Sequence, residues 1–247
     1  MNKLFKDLAS NNLPKICVPV TGATEDVILE RFMELDTAPI DLVELRADYY
    51  EFVKDQTKVI DLLEKVRKIY DKPLLFTLRT KQEGGVSHIY ADYYFKLNKT
   101  VIESQLIDLI DIEFFSQADE TAVTLNLAGK NNITTILSSH DFLKTPPEGE
   151  IFKRVNEMME LGDIAKIAVM PNSEEDVLTL LSAALKLKNE KKGPFIAISM
   201  GPLGIISRIS CELFGSCMTY ASYKQPSAPG QIDVALINEV IKVLHID

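Results

Sequence analysis

A lysine lies in the middle of an apolar segment of the chain. Lys166 is flanked by isoleucine and alanine residues in DIAKIAVM, residues 163–170. If this segment is a β-strand and Lys166 points inward, burial disfavours the charged form of the amine. A neutral amine is a nucleophile that forms imines with ketones and aldehydes. The alternative is that Lys166 points outward and its ammonium reaches water between helices.

Other residues that can move protons follow apolar segments. His140 comes directly after NITTILSS, residues 132–139, and an imidazole titrates near neutrality and suits proton transfer. The alternative for a lone histidine is a structural or exposed position. Glu83 lies four residues after Arg79 in RTKQEGG, where it could orient an imidazole or be a solvated loop charge. We therefore treat Lys166, His140 and Glu83 as candidate catalytic residues.

Further charged residues cluster at the ends of apolar segments. Glu44 and Arg46 are two apart, as are Asp111 and Glu113, so each pair shares one face of a strand. Arg79 closes another segment and Arg208 follows one. The chain has 27 Lys and Arg against 36 Asp and Glu, a net charge of −9, which argues against nucleic-acid binding. An acidic protein that binds an anion must concentrate positive charge locally.

The elements that carry these residues alternate regularly. Eight apolar segments have strand length, and each is followed by a stretch with helical spacing of its apolar residues. The predicted strands are 15–20, 41–47, 73–79, 106–113, 132–139, 163–170, 194–200 and 216–222. The predicted helices are 24–35, 53–70, 92–105, 116–130, 148–161, 173–188, 207–214 and 232–245.

Strict β–α alternation predicts a parallel sheet, and eight units predict an α/β fold, the (β/α)8 TIM barrel. We expect one domain over residues 1–247, with residues 1–14 as an N-terminal extension. An open doubly wound sheet is the alternative, but no glycine-rich phosphate loop follows the first strand. In a barrel the active site lies at the C-terminal ends of the strands, where these polar residues fall.

Other features narrow the class of protein. The three cysteines are too few for a disulfide framework and predict a reducing compartment, so we expect a cytoplasmic protein. The first fifteen residues lack the apolar core of a signal peptide, and no segment has the ~20 apolar residues of a membrane helix. The three histidines lack metal-ligand spacing, so we expect no metal. Together the residues predict Schiff-base chemistry on a small anionic carbonyl compound, without a cofactor.

Several motifs in order resemble the type I 3-dehydroquinate dehydratases of the shikimate pathway. They span nearly the whole chain: ELRAD (44–48), LLFTLRTKQEGG (74–85), DIE (111–113), SHDFLKTP (139–146), KIAVMP (166–171), ISMGPLGIISR (198–208), FGS (214–216) and SAPGQI (227–232). Each motif alone is weakly specific, but all of them in this order are highly specific. The resemblance implies dehydration of 3-dehydroquinate to 3-dehydroshikimate by syn elimination, on the route to aromatic amino acids.

The resemblance also implies a role for each matching residue. Lys166 would form the imine, His140 would act as general acid and base, and Glu83 would orient His140. Arg208 would pair with the substrate carboxylate. The remaining substrate-binding positions implied are Glu44, Arg46, Arg79, Met200, Ser227 and Gln231. Relatives suggest a homodimer, whereas no nucleic-acid or membrane partner is expected.

Two other functions stay open at this point. A class I aldolase shares the barrel and the lysine but breaks a carbon–carbon bond. A catalytically inactive barrel that serves as a binding module would form no covalent adduct on Lys166.

Overall fold

A computed structural model describes residues 13–114, 117–224 and 230–245. Its eight strands are β1 Lys15–Val20, β2 Leu42–Arg46, β3 Leu74–Thr77, β4 Leu109–Glu113, β5 Thr134–Asp141, β6 Ile164–Val169, β7 Phe195–Ser199 and β8 Met218–Tyr220. The helices between and after them are α1 Glu25–Leu35, α2 Gln56–Ile69, α3 Ala91–Ser104, α4 Ala118–Lys130, α5 Glu148–Leu161, α6 Glu174–Glu190, α7 Ile205–Ile209 and α8 Val234–Leu244. Single 3-10 turns follow β2 at Ala47–Tyr49 and β3 at Lys81–Glu83.

The strands form one parallel sheet that curls almost into a closed barrel. Its order is β7-β6-β5-β4-β3-β2-β1-β8, so each strand pairs with its sequence neighbour and β1 pairs with β8. Just before β8, Ser216 forms a parallel bridge with Phe195 of β7, and the Cys217 amide donates to the Phe195 carbonyl at 2.8 Å. These contacts bring the last strand back to the seventh, and the predicted (β/α)8 barrel is confirmed.

The barrel interior is filled in layers because inward-facing residues recur at every second position. One layer comes from the even-numbered strands and is apolar: Leu42, Leu109, Ile164 and Met218. The next comes from the odd-numbered strands: Cys17, Leu75, Ile136 and Ile196. Outward-facing strand residues pack instead against the helices in a separate and larger apolar cluster. The half of the barrel toward the N-terminal ends of the strands is therefore an apolar core, and the next layer of side chains packs on it.

The layer above is polar. Two residues after each apolar position of the even-numbered strands come Glu44, Asp111, Lys166 and Tyr220, all buried. The strand period that builds the core thus places four chemically reactive side chains at one height, toward the C-terminal ends of the strands.

The helix predicted over 207–214 differs from the one observed. Helix α7 begins after Gly204 and ends at Ile209, and residues 211–215 form turns. The Ser207 hydroxyl donates to the Gly204 carbonyl, and it accepts from the Ser199 amide at 2.9 Å, which starts the helix earlier. Gly215 has a φ of +84°, a left-handed conformation that suits glycine and ends the segment.

Other boundaries shift by a few residues. Strand β3 ends at Thr77, so Arg79 lies just beyond it, whereas β5 extends through Asp141 and includes His140. Of the N-terminal extension predicted over residues 1–14, residues 1–12 lie outside the described residues, and the single-domain assignment stays a prediction. Among the described helices, none combines the length and apolar composition needed to cross a bilayer.

Candidate active site

A cavity with a volume of about 70 Å³ opens at the C-terminal ends of the strands. Nine of the ten residues singled out in the sequence line it: Glu44, Arg46, Arg79, Glu83, His140, Lys166, Met200, Arg208 and Gln231. The tenth, Ser227, lies outside the described residues.

Lys166 points into the barrel, and its side chain is only 5% exposed. Its ammonium donates to Asp111 Oδ2 at 3.2 Å and lies 3.9 Å from Glu44 Oε1. The ring of Tyr220 lies 4.3 Å from Nζ, close enough for a cation–π contact. The apolar sequence neighbours therefore do not describe its surroundings, because the amine contacts two carboxylates and an aromatic ring.

His140 and Glu83 form a buried pair on the cavity wall. His140 Nδ1 lies 3.0 Å from Glu83 Oε2, and both side chains are 9% exposed. Burial, helped by Arg79 and Lys166, lowers the pKa of His140 well below its usual value. Burial, with the charges of Glu113 and Asp111 and against that of Arg79, raises the pKa of Glu83 to about 8. Near pH 7 the pair is therefore uncharged overall: Glu83 carries a proton that it can donate to Nδ1 of the neutral imidazole.

Arg79 is the cation shared by three carboxylates beside the cavity. Its guanidinium lies 2.8 Å from Asp111, 3.2 Å from Glu113 and 3.5 Å from Glu83. Burial alone would lower its pKa, but these carboxylates raise it well above the usual value. Arg79 is thus a fixed positive charge that ties strand β4 to the loop that carries Glu83.

Arg46 forms an ion pair with a residue of its own segment. Its Nε and Nη2 donate to the two carboxylate oxygens of Asp48 at 2.8 and 2.9 Å. Asp48 also accepts from the Val86 amide at 3.2 Å, and its carbonyl accepts from the Ser87 hydroxyl at 2.7 Å. Asp48 therefore joins the end of β2 to the loop after Glu83.

Arg208 enters the cavity from α7 and is 2% exposed. It donates to the Tyr220 carbonyl at 3.3 Å, and burial lowers its pKa to about 10. An anion bound beside a buried guanidinium would be stabilised strongly, because the local dielectric is low. Met200 and Gln231 also line the cavity.

The chain matches the model of one protein family, described as type I 3-dehydroquinase, over residues 16–247. The chain belongs to the type I 3-dehydroquinases. The family recognised from the sequence motifs is therefore confirmed.

Similar type I 3-dehydroquinases include curated enzymes named 3-dehydroquinate dehydratase. The one from Clostridium botulinum is 47% identical over 236 residues, which cover 94% of this chain and 93% of that protein. The one from Listeria monocytogenes is 44% identical over 234 residues, with the same coverage. The type I enzyme from Clostridium difficile, a solved structure, superposes with a TM-score of 0.92 at 42% identity, covering 95% of this chain and 93% of that one.

The site of this type I 3-dehydroquinase includes residues that the sequence did not single out as site residues. Asp48 and Tyr220 had no signal beyond their places in ELRAD and in an apolar segment, and Asp111 was noted only in a paired-carboxylate pattern and in the DIE motif. Phe142 and Gly84 also line the cavity. In the described part of the chain, no group of three or more His, Cys, Asp or Glu side chains could hold a metal ion.

Proposed function

We propose that the protein dehydrates 3-dehydroquinate to 3-dehydroshikimate through an imine on Lys166, with His140 as general acid and base. The observation that carries the proposal is that a buried lysine and a buried, hydrogen-bonded His140–Glu83 pair line the same cavity. Membership of the type I 3-dehydroquinases supplies the substrate, and the relatives' names agree with it.

In this mechanism Lys166 Nζ gives a proton to His140 and attacks the C3 ketone. The proton then passes from His140 to the former ketone oxygen, and water leaves to give an iminium. The iminium withdraws electrons and so acidifies the neighbouring C–H bond. His140 removes the C2 proton, the electron pair moves to form an enamine, and the reverse movement expels the hydroxyl, which takes a proton from His140. Hydrolysis then releases the product and restores Lys166, with a net loss of one water.

His140 can act as this base once its pair with Glu83 has lost one proton. Glu83 is then a carboxylate that accepts a hydrogen bond from Nδ1–H, and Nε2 keeps a free electron pair. The lowered pKa of His140 keeps the imidazole neutral before substrate binds.

Substrate binding is assigned to the cavity wall. Arg208 would bind the carboxylate, since a guanidinium matches it in two hydrogen bonds. Met200 would pack against the ring. The hydroxyl groups fall to the remaining polar residues: Glu44, Arg46, Arg79, Ser227 and Gln231. The Clostridium difficile structure is described as holding covalently modified comenic acid, which fits a reactive group in that relative.

One experiment tests the function directly. Incubation with 3-dehydroquinate should produce the ultraviolet absorbance of a conjugated enone, and borohydride should trap a reduced adduct on Lys166, found by mass spectrometry. Lys166→Ala should abolish turnover and adduct while the protein remains folded. Lys153→Ala, which removes a lysine whose side chain is 78% exposed, is the matched control and should keep both.

The two other functions give different results in the same assay. A class I aldolase would produce no enone and would cleave a sugar phosphate instead. A binding module would yield no borohydride-trapped adduct with any carbonyl substrate. Either result would contradict the proposed reaction.

We also propose a cytoplasmic homodimer. The support for association is apolar side chains exposed on two helices that contact each other, Ile205 and Ile206 of α7 and Leu236 of α8. Light scattering should give twice the monomer mass of 27.7 kDa, and a monomer at micromolar concentration would contradict the dimer.

A further inference from the structure

Asp111 lies next to Lys166 but is not one of the residues that line the cavity. Its side chain is completely buried, and it is absent from the residues that the cavity exposes. Three groups donate to its carboxylate: the Ser138 hydroxyl at 2.6 Å, Arg79 Nη2 at 2.8 Å and Lys166 Nζ at 3.2 Å. Asp111 therefore contacts the reacting nitrogen although it does not line the cavity.

The surroundings of Asp111 keep it ionised. Burial alone would raise its pKa, but Arg79, Lys166 and the Ser138 hydroxyl together bring the pKa below its usual value. A carboxylate so stabilised is a poor proton acceptor. Its function must come from its negative charge, which is fixed in place by Arg79.

The other carboxylates near Lys166 are placed differently. Glu44 lies farther from Nζ, at 3.9 Å, accepts from the Thr77 hydroxyl at 2.8 Å, and faces the cavity where substrate binds. Glu113 accepts from Arg79 and from the Thr80 amide and hydroxyl. Among the described carboxylates, Asp111 makes the shortest contact with the amine.

We propose that Asp111 is a catalytic residue whose carboxylate is the counter-ion of the iminium formed on Lys166. This inference rests on the proposed function. When the ketone and Lys166 condense and water leaves, the nitrogen keeps one hydrogen and its positive charge. That N–H points toward Asp111, as one N–H of the ammonium does before reaction, and the ring of Tyr220 faces the same charge.

The counter-ion matters because only the protonated imine is an effective electron sink. A fixed anion beside the nitrogen stabilises the iminium relative to the neutral imine, so the iminium persists to higher pH. Because the anion is already in place, it needs no reorganisation when the charge develops. Asp111 remains ionised throughout and gains or loses no proton.

The test replaces Asp111 by its neutral isostere. We expect Asp111→Asn to lower kcat by about 10²-fold or more, in the range found when one preorganised electrostatic contact is removed. Cyanoborohydride trapping with 3-dehydroquinate should still yield the Lys166 adduct at acid pH. The pH at which trapping falls to half should move down by about two units, which corresponds to a hundredfold loss of iminium stability.

Glu113→Gln is the matched comparison. It also removes a buried carboxylate from Arg79 but leaves the partner of Lys166 in place. We expect its pH profile of trapping to match that of the wild-type protein, whatever its effect on stability. A shift equal to that of Asp111→Asn would assign the effect to Arg79 and would overturn the proposal.

The remaining outcomes are decisive. A folded Asp111→Asn variant with the wild-type trapping profile, or with no adduct even at acid pH, contradicts the counter-ion role. If Asp111→Asn does not fold, Ser138→Ala removes one hydrogen bond to the same carboxylate and should shift the profile in the same direction by a smaller amount; no shift overturns the proposal. Absence of an adduct in the wild-type protein would instead be a failure of the proposed function.

Discussion

At the scale of single residues, the His140–Glu83 pair is the candidate acid and base of the site. Its two groups are separated by 3.0 Å and buried together, and burial favours the neutral form of both. Asp111 and Glu113 also form ion pairs with Arg79, and their negative charges further oppose ionisation of Glu83. Glu83 therefore carries a proton at pH values where an exposed glutamate has lost it, and this has a measurable energetic consequence.

We expect the free energy of unfolding to depend on pH because the pKa of Glu83 is raised. The folded protein keeps this proton up to about pH 8, whereas the unfolded chain releases it near pH 4.5. The contribution of Glu83 to the free energy of unfolding is therefore complete below pH 4.5 and is lost as the pH rises through 8. Glu83→Gln lacks this loss. Its free energy of unfolding, relative to wild type, should rise between pH 5 and pH 8 by on the order of 2–4 kcal/mol. Urea unfolding at both pH values measures the difference, and a constant difference would contradict the assigned pKa.

Residue types and spacing in the sequence predicted much of the candidate site, including Lys166 and His140. The position of a polar residue at the end of a strand is a local property, so it is visible in one segment. The partners that these residues contact are not visible in one segment, because they come from other strands and loops. That Asp111 approaches Lys166 depends on the register of β4, β5 and β6 in the barrel, and the bond from Asp48 to the Val86 amide joins residues 38 positions apart.

At the scale of elements, the loop after β3 positions the catalytic pair. It runs through the 3-10 turn Lys81–Glu83 into Gly84, whose φ is +86°. The ring of Phe142 packs over Gly84, and it also lies parallel to His140 with ring centres 6.4 Å apart. The β3 and β5 loops therefore meet at Gly84, and their contact fixes the distance between Glu83 and His140.

Gly84→Ala should disturb this contact. A Cβ at position 84 would lie 2.2 Å from Phe142 Cζ, and the left-handed conformation costs a non-glycine residue roughly 1–2 kcal/mol. We expect kcat/KM to fall about tenfold, since displacing an aligned catalytic group by even 1 Å is costly. Steady-state kinetics and urea unfolding provide the measurement.

Gly129→Ala is the control for this substitution. Gly129 lies in α4 with open space around the added methyl group, and alanine in a helix is favoured over glycine by about 0.5–1 kcal/mol. It should therefore stabilise the protein and leave kcat/KM unchanged. Wild-type kinetics for Gly84→Ala would show that the packing of Phe142 on Gly84 is not needed to align the pair.

The order of elements was predictable because each strand and helix carries its own periodicity. The ends of the strands and helices were less predictable than their order. Helix α7 begins at Ile205 rather than at 207 because the Ser207 hydroxyl donates to the Gly204 carbonyl. Such side-chain bonds decide boundaries and have no periodic signature. Strand β8 is likewise only Met218–Tyr220, shorter than its apolar segment, because the flanking residues bond as single bridges rather than as a ladder.

At the scale of the whole molecule, net charge and site charge have opposite signs. The chain carries a charge of −9, yet Arg46, Arg79, Lys166 and Arg208 line one cavity. Glu44, Asp48, Asp111 and Glu113 lie close to Arg46, Arg79 and Lys166 and offset part of that positive charge. Surface charges act through water and salt, whereas the buried guanidinium acts through protein at a lower dielectric. We therefore expect local rather than net charge to govern binding of an anionic substrate.

Two substitutions that change the net charge equally separate these contributions. Arg208→Gln and Lys153→Gln each take it from −9 to −10, but Arg208 is 2% exposed in the cavity and Lys153 is 78% exposed on α5. Loss of one partner of a buried charge pair costs about 2–5 kcal/mol, so Arg208→Gln should raise KM roughly thirtyfold or more. Lys153→Gln should leave KM unchanged. Because buried pairs are screened weakly, the effect of Arg208→Gln should persist at 0.3 M salt, within the range of about 0.1–1 M where surface charges are screened. Equal increases in KM for both variants, abolished by salt, would mean instead that the field of the whole molecule controls binding.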